Sequence, residues 1–273
     1  MPPRAISRDD PRRIVAMGGG GFGAHPGDPA LDRYVLDVAP AVTPRVCLLP
    51  TASGDPDEQI QRFYRAFHDL PCEPSNVSLF RLGAQPVDLR ERLLAQDVIY
   101  VGGGSVLNML AIWRVHDLDA ILHEAWLRGI VLCGISAGSM CWFRMGITKS
   151  AGAPAIARGL AFLPGSNSVH WHDEPERRPA YRRAVAAGVA PAGWGVDDGV
   201  GLLFAGTELV EAVSARHGAG AWHVQEFAGR AIERPLETVP LQTPEPAVPL
   251  SIAEFREVRR HGLAESWRLH GEG

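Results

Sequence analysis

The sequence predicts an α/β protein: a doubly wound, mostly parallel sheet flanked by helices, with a β-rich C-terminal part. Three observations carry that expectation. Short apolar runs alternate with longer amphipathic segments, the rhythm of strand and crossover helix. The runs lack apolar/polar alternation, as expected of strands covered on both faces. Three glycine-bearing turns, Gly18 to Gly23, Gly102 to Gly104 and Gly134 to Gly138, each follow such a run. In open parallel sheets ligands bind at the carboxyl ends of strands.

Arg13 to Met17 (RIVAM) reads as the first strand, and Asp28 to Val38 carries apolar residues at helical spacing. Arg45 to Leu49 (RVCLL) is a second strand, closed by Pro50-Thr51-Ala52-Ser53-Gly54. Pro56 to Leu70 reads as a helix with Asp55 at its N-cap and proline at its first position. Val77 to Phe80 reads as a third strand, Val87 to Ala95 as a helix and Asp97 to Val101 as a fourth strand. Asn108 to Leu127 reads as one long helix, and Gly129 to Cys133 (GIVLC) as a fifth strand running into Ser136. A helix-compatible stretch, Ser139 to Met145, follows. Residues 151–180 read as irregular, Tyr181 to Ala190 as a helix, and four short strands then form a meander up to Phe227. The stretch Pro235 to Pro249 holds five prolines and reads as an extended surface segment, and Ile252 to Leu269 as an amphipathic helix. One α/β domain over residues 13–235 is therefore expected. A tail over 1–12 precedes it, and a Pro-rich segment with a C-terminal helix over 236–273 follows as a candidate contact for a second copy of the chain.

The chain has 273 residues, 46% of them hydrophobic and 21% charged, enough for a full core. A net charge of -4 offers no basic footprint for nucleic acid. Cys47, Cys72, Cys133 and Cys141 form no C-x-x-C pair and read as free thiols in a reducing compartment. Met1 to Arg13 is polar, and no apolar run reaches the about 18 residues of a membrane span. No membrane partner and a cytoplasmic location are the expectations.

Gly134-Ile135-Ser136-Ala137-Gly138 matches G-x-S-x-G, a sharp strand-to-helix turn that lifts a serine Oγ above the sheet. There the free N–H groups of a helix start can hold an oxyanion. The pentapeptide alone is weak evidence, because a small serine also suits a tight turn, but the strand before it is in place. A serine nucleophile needs a base and an orienting acid. His170 and His172 lie in a polar stretch after the elbow, and Asp197-Asp198 follows a strand end. His217 and His223 lie later. The acid in Ser-acid-His order, as in α/β-hydrolases, would be Asp197 or Asp198 with His217 or His223 as base. His170-x-His172 with Asp173 invites a metal, but no third ligand stands at a convincing spacing, so neither metal nor cofactor is expected. The glycine run Gly18 to Gly23 lacks the Lys-Ser/Thr of a phosphate loop. The second oxyanion donor falls to the Gly102 to Gly104 turn, where glycine lets the backbone approach a substrate.

Taken in order, several segments resemble the peptidase E / cyanophycinase group of serine peptidases, family S51. They are Ala16-Met17-Gly18-Gly19-Gly20, Leu49-Pro50-Thr51-Ala52-Ser53, Tyr100-Val101-Gly102-Gly103-Gly104, the Ser136 elbow, Leu163-Pro164-Gly165-Ser166-Asn167 leading to His170, and Gly195-Val196-Asp197-Asp198-Gly199. The resemblance covers residues 13–228 and implies a class I glutamine amidotransferase-like, flavodoxin-like fold. It implies Ser136 as nucleophile, His170 as base, and Gly104 and Ala137 as oxyanion-hole donors. The third member is usually a glutamate in relatives; here Asp198 holds that position, with Asp197 as the other candidate. Relatives often carry asparagine after the triple glycine, where this chain has Ser105, a substrate-binding candidate with Asp197. The implied activity is hydrolysis of short peptides or dipeptides, with acidic residues among the candidate substrates. Acidic selectivity needs a cation, for which Arg144, Arg158, Arg177 and Arg178 are candidates. Amidotransferases carry cysteine at the elbow, which this chain does not. A silent small-molecule binding module on the same fold is the non-enzymatic alternative.

Overall fold

A computed structural model describes residues 10–23 and 29–241. The C-terminal helix expected over Ile252 to Leu269 lies outside the described residues. The first half runs β1 (Arg13–Met17), α1 (Ala30–Val38), β2 (Arg45–Leu49), α2 (Asp57–Phe67), β3 (Glu73–Asn76), α3 (Leu89–Leu94), β4 (Val98–Val101), α4 (Val106–Val115), α5 (Leu118–Leu127), β5 (Val131–Ile135) and the one-turn helix α6 (Ala137–Met140). The second half runs β6 (Phe143–Thr148), β7 (Ala155–Arg158), β8 (Leu163–Val169), α7 (Arg177–Ala186), β9 (Gly193–Val196), β10 (Val200–Ala205), β11 (Glu208–Ser214), β12 (Ala221–Phe227), β13 (Arg230–Pro235) and β14 (Thr238–Pro240).

Among the described residues the strands form two sheets. The larger has the order β14-β11-β10-β1-β5-β4-β2-β3, and its segment from β1 to β3 is parallel throughout, as expected. Strand β1 shows why alternation is missing from its sequence. Ile14 and Ala16 enter the core on one face, while Val15 and Met17 enter the core on the other. Helices α1 and α2 cover the second face through Leu31, Val35, Phe63 and Phe67. The first face is covered by α4 and α5, through Trp113, Leu122 and Trp126, and by the second sheet through Phe143, Leu163 and Val196.

The second sheet, β13-β12-β9-β8-β6-β7, was not legible as such. Strands β7 and β8 lie in the stretch read as irregular. The reason is composition: the middle of β8 buries Ser166, Asn167 and Ser168 completely, so the apolar run that announces a buried strand is absent. Ser166 is satisfied by Tyr181 Oη and the Pro191 carbonyl, both at 2.6 Å. The outer face of this sheet is closed by α7, where Tyr181 and Val185 pack with Trp171 and Val224.

The four strands read as one meander are split between the sheets, β10 and β11 in the larger and β9 and β12 in the second, and the helix read as Tyr181 to Ala190 begins four residues earlier, at Arg177. Other boundaries also differ from expectation. The long helix is two helices, broken at Asp117, which sits at φ 51°. The edge strand is Glu73–Asn76, ahead of the apolar Val77 and Leu79, which are buried beyond the strand end. The elbow helix lasts one turn before the chain enters β6.

Two crossings between the sheets matter for function. The chain leaves the first sheet at Ser136, between β5 and β6, and returns to it at Asp197 to Gly199, between β9 and β10. His170 follows β8, whose last residue pairs with the last residue of β9. All three segments therefore meet at the carboxyl edge of the parallel strands, where the sheets adjoin.

Candidate active site

Glycine spacing builds the elbow. A Cβ on Gly134 would stand 2.3 Å from the Gly138 carbonyl oxygen, and one on Gly138 would stand 2.3 Å from the Val101 carbonyl oxygen. Ser136 is left at φ 54°, ψ -109°, a conformation that costs a non-glycine residue on the order of 1–3 kcal/mol. Its N–H donates to the Met17 carbonyl, and its own carbonyl accepts from Ser139 and Met140. The side chain is thereby aimed away from the sheet.

His170 also has a positive φ, 53°. Ser136 Oγ stands 2.8 Å from His170 Nε2, and His170 Nδ1 stands 2.5 Å from Asp198 Oδ1. With Oγ–H donating to Nε2, Nδ1 carries the ring proton and donates to the carboxylate. Asp198, not Asp197, meets His170. Asp197 is buried and turned the other way, accepting from the N–H groups of His172 and Gly220 and from His172 Nδ1. The histidines of the H-x-H pair thus serve different carboxylates. His217 lies exposed after β11, and His223 packs its ring at 5.9 Å from that of Trp194; among the described residues neither bonds to Ser136.

The triple glycine lies beside the elbow. A Cβ on Gly103 would come within 3.5 Å of Ser136 Cβ. Gly104 has φ 142°, and a Cβ there would strike the Ala52 carbonyl oxygen at 2.2 Å, so glycine is required. The N–H groups of Gly104 and Ala137 have no acceptor among the described residues. Ser105 caps α4, its Oγ accepting from Asn108 N–H at 3.3 Å. Burial pushes the thiols of Cys133 and Cys141, which flank the elbow, well above the ordinary cysteine range, so neither offers a thiolate.

A search of family models matches residues 14–212 to "Peptidase family S51". The chain belongs to family S51. The resemblance read from its motifs is borne out, and with it a peptidase-type hydrolase. The uncharacterized peptidase YgaJ of Bacillus subtilis (strain 168) is 45% identical over 225 residues, 82% of this S51 chain and 97% of that protein. A crystal structure of a peptidase from an acI-B1 actinobacterium superposes with a TM-score of 0.63 at 18% identity, over 83% of this chain and 94% of that one. A structure from Listeria monocytogenes EGD-e, assigned provisionally to peptidase E, gives a TM-score of 0.52 at 15% identity over 73% and 96%. These two show the α/β fold.

Several residues around the S51 site escaped the sequence reading. Among the named arginines, Arg177 pairs with Glu174 and Arg178 with Glu233, while Arg144 and Arg158 lie at the end of the β6–β7 pair remote from His170. Two further cations pair with the carboxylates that follow His170: Lys149 with Glu174 and Glu176, and Arg216 with Asp173. The Arg216 hydrogen bond outweighs burial and holds the Asp173 carboxyl below its usual range. Beneath the Ser136–His170 contact, Asn167 Nδ2 donates at 3.0 Å to Ser139 Oγ, both residues fully buried. This bond ties the elbow helix to the strand that carries His170. Ser139→Ala strands the Asn167 amide and is expected to cost about 1–3 kcal/mol. Urea denaturation would show it as a lower midpoint at unchanged slope.

Proposed function

We propose that this S51 peptidase hydrolyses short peptides through an acyl-enzyme on Ser136. The observation that carries the reading is the continuous hydrogen-bonded chain Ser136–His170–Asp198, ending on a serine held at positive φ at a helix start. His170 Nε2 takes the Oγ proton as Oγ attacks the scissile carbonyl. The oxyanion is received by the N–H groups of Gly104 and Ala137, which have no acceptor of their own among the described residues. Donors placed in advance need no reorganisation as charge develops. His170 then passes the proton to the leaving amine, the C–N bond breaks, and water repeats the sequence to release the acid. Asp198 holds the imidazole in the required tautomer and steadies the imidazolium.

An acidic side chain would be read by Lys149 or Arg216, and binding it would mean displacing Glu174, Glu176 or Asp173. A panel of dipeptides scored for free amino acid release ranks these preferences.

The mechanism is tested with a fluorophosphonate, which transfers its phosphonyl group to an activated serine and releases fluoride. Wild-type protein is expected to gain one adduct by intact mass, and Ser136→Ala none. Peptide turnover that survives in Ser136→Ala would sink the assignment.

A further inference from the structure

The doublets His170-x-His172 and Asp197-Asp198 pair crosswise. His170 meets Asp198, and His172 meets Asp197 alongside. The proposed serine chemistry uses only the first pair. We propose that the second, Asp197–His172, is a positioning device that holds the base in its strained backbone conformation and keeps Asp198 in register. The inference rests on the serine mechanism proposed above.

His170 carries a positive φ, and such strain persists only where the surroundings over-determine it. The segment after it is tied down at successive points. Trp171 N–H donates to the Val196 carbonyl at 3.2 Å, His172 N–H to Asp197 Oδ1 at 3.1 Å, and Glu174 N–H to the His170 carbonyl at 2.9 Å. Asp197 also accepts His172 Nδ1 at 2.9 Å and Gly220 N–H at 3.0 Å, while its own N–H donates to the Gly220 carbonyl at 3.1 Å. One buried carboxylate thus joins the segment after the base, the turn that carries the acid, and the loop before β12. Asp198 itself has a weaker hold: its N–H reaches Asp173 Oδ2 at 3.4 Å.

His172 is fixed from outside as well. Arg178 Nη1 stands 2.8 Å from its Nε2. A guanidinium only donates, so Nε2 keeps its lone pair and the ring proton sits on Nδ1, facing Asp197. Arg178 is itself forked onto Glu233 of β13 at 3.2 and 2.6 Å, and its guanidinium lies 5.5 Å from the Trp171 ring centre. The Trp222 ring stands nearly perpendicular to the imidazole, its centre 4.7 Å away, while the rest of the His172 side chain faces solvent. The donors run in one sense, from Arg178 through His172 into Asp197. The geometry suits orientation of a neighbour, since His172 Nε2 is occupied by Arg178 and Ser136 Oγ belongs to His170.

The test is the rate at which a fluorophosphonate labels Ser136, resolved into its limiting rate and half-saturating concentration, with thermal midpoint followed in parallel. His172→Ala is expected to lower the limiting rate on the order of tenfold to a hundredfold, the scale of a small misplacement of reacting groups, with half-saturation unchanged. His172→Asn puts its amide N–H where Nδ1–H was and should recover most of the rate. His172→Gln reaches the Nε2 position instead and should not. Wild-type labelling in a folded His172→Ala protein overturns the inference. If that variant fails to fold, equal rates in His172→Asn and His172→Gln overturn it. Ser136→Ala in the same series separates the two readings: an adduct that persists there defeats the serine mechanism, whereas its loss beside normal His172 variants defeats only the positioning role.

Discussion

His170→Ala is expected to lower peptide turnover on the order of 10⁴- to 10⁶-fold, with His223→Ala near wild type. Members of a nucleophile–base–acid chain act as a unit, so loss of the base costs nearly as much as loss of the whole chain, and residual rate comes from substrate binding and the oxyanion donors. In the proposed mechanism His170 is the acceptor of the Ser136 proton, at 2.8 Å. His223 is the base that a Ser-acid-His order would require. It lies on β12 against Trp194, and burial, with Arg234 adding to it, depresses its pKa and keeps the ring neutral. Its Cα partner is Trp194, two residues before the strand ends at Val196. Initial rates on a dipeptide, with thermal midpoints to exclude unfolding, decide between the two. Inactivity of His223→Ala beside an active His170→Ala would transfer the base to the later histidine.

How much of this was legible in the sequence depended on which physical signal each residue sends. The parallel half of the larger sheet was readable because strands such as Val98–Val101 and Val131–Ile135 are apolar on both faces, with glycine following the first at 102 and standing next to last in the second at 134. Ser136 was readable for the same reason, since the steric demands of the elbow select glycine at 134 and 138. Strand β8 was not, because the middle of it is serine and asparagine, and the partners of Ser166 and Asn167 lie on α6, α7 and the stretch before β9. The choice between Asp197 and Asp198 turns on which face of one turn each side chain takes, and that is set by the Gly220 loop, 22 or more residues downstream. Lys149 and Arg216 were missed because a sequence gives distance along the chain and not across a sheet junction. Arg177 and Arg178 are nearer His170 in sequence; Arg177 shares Glu174 with Lys149, and Arg178 forks onto Glu233.

Gly19→Ala makes the same point from the steric side, and it should separate loss of catalysis from loss of fold. A Cβ on Gly19 would stand 2.3 Å from Asp198 Oδ1, 2.7 Å from its Cγ and 3.0 Å from His170 Cε1, where ordinary contact begins at 3.4 Å. The methyl group would therefore enter the joint between base and acid, and the Asp198 carboxylate must retreat by roughly 1 Å. Asp198 is 28% exposed at its side chain and has room to swing toward solvent, so the fold can absorb the change. The elbow glycines contrast with this, since a Cβ on Gly134 or Gly138 meets backbone that cannot move aside. Peptide turnover in Gly19→Ala is expected to fall between about 10²- and 10⁴-fold, the range from a small misplacement to loss of the orienting acid. Its thermal midpoint should stay close to that of the wild type, whereas Gly134→Ala should lose both. Full activity in a folded Gly19→Ala protein would mean that contact between Asp198 and His170 is not needed for turnover, and the acid would then have to be sought elsewhere on the rim. Low activity with an intact fold would locate the sensitivity in that contact, because Gly19 has no functional group of its own to lose.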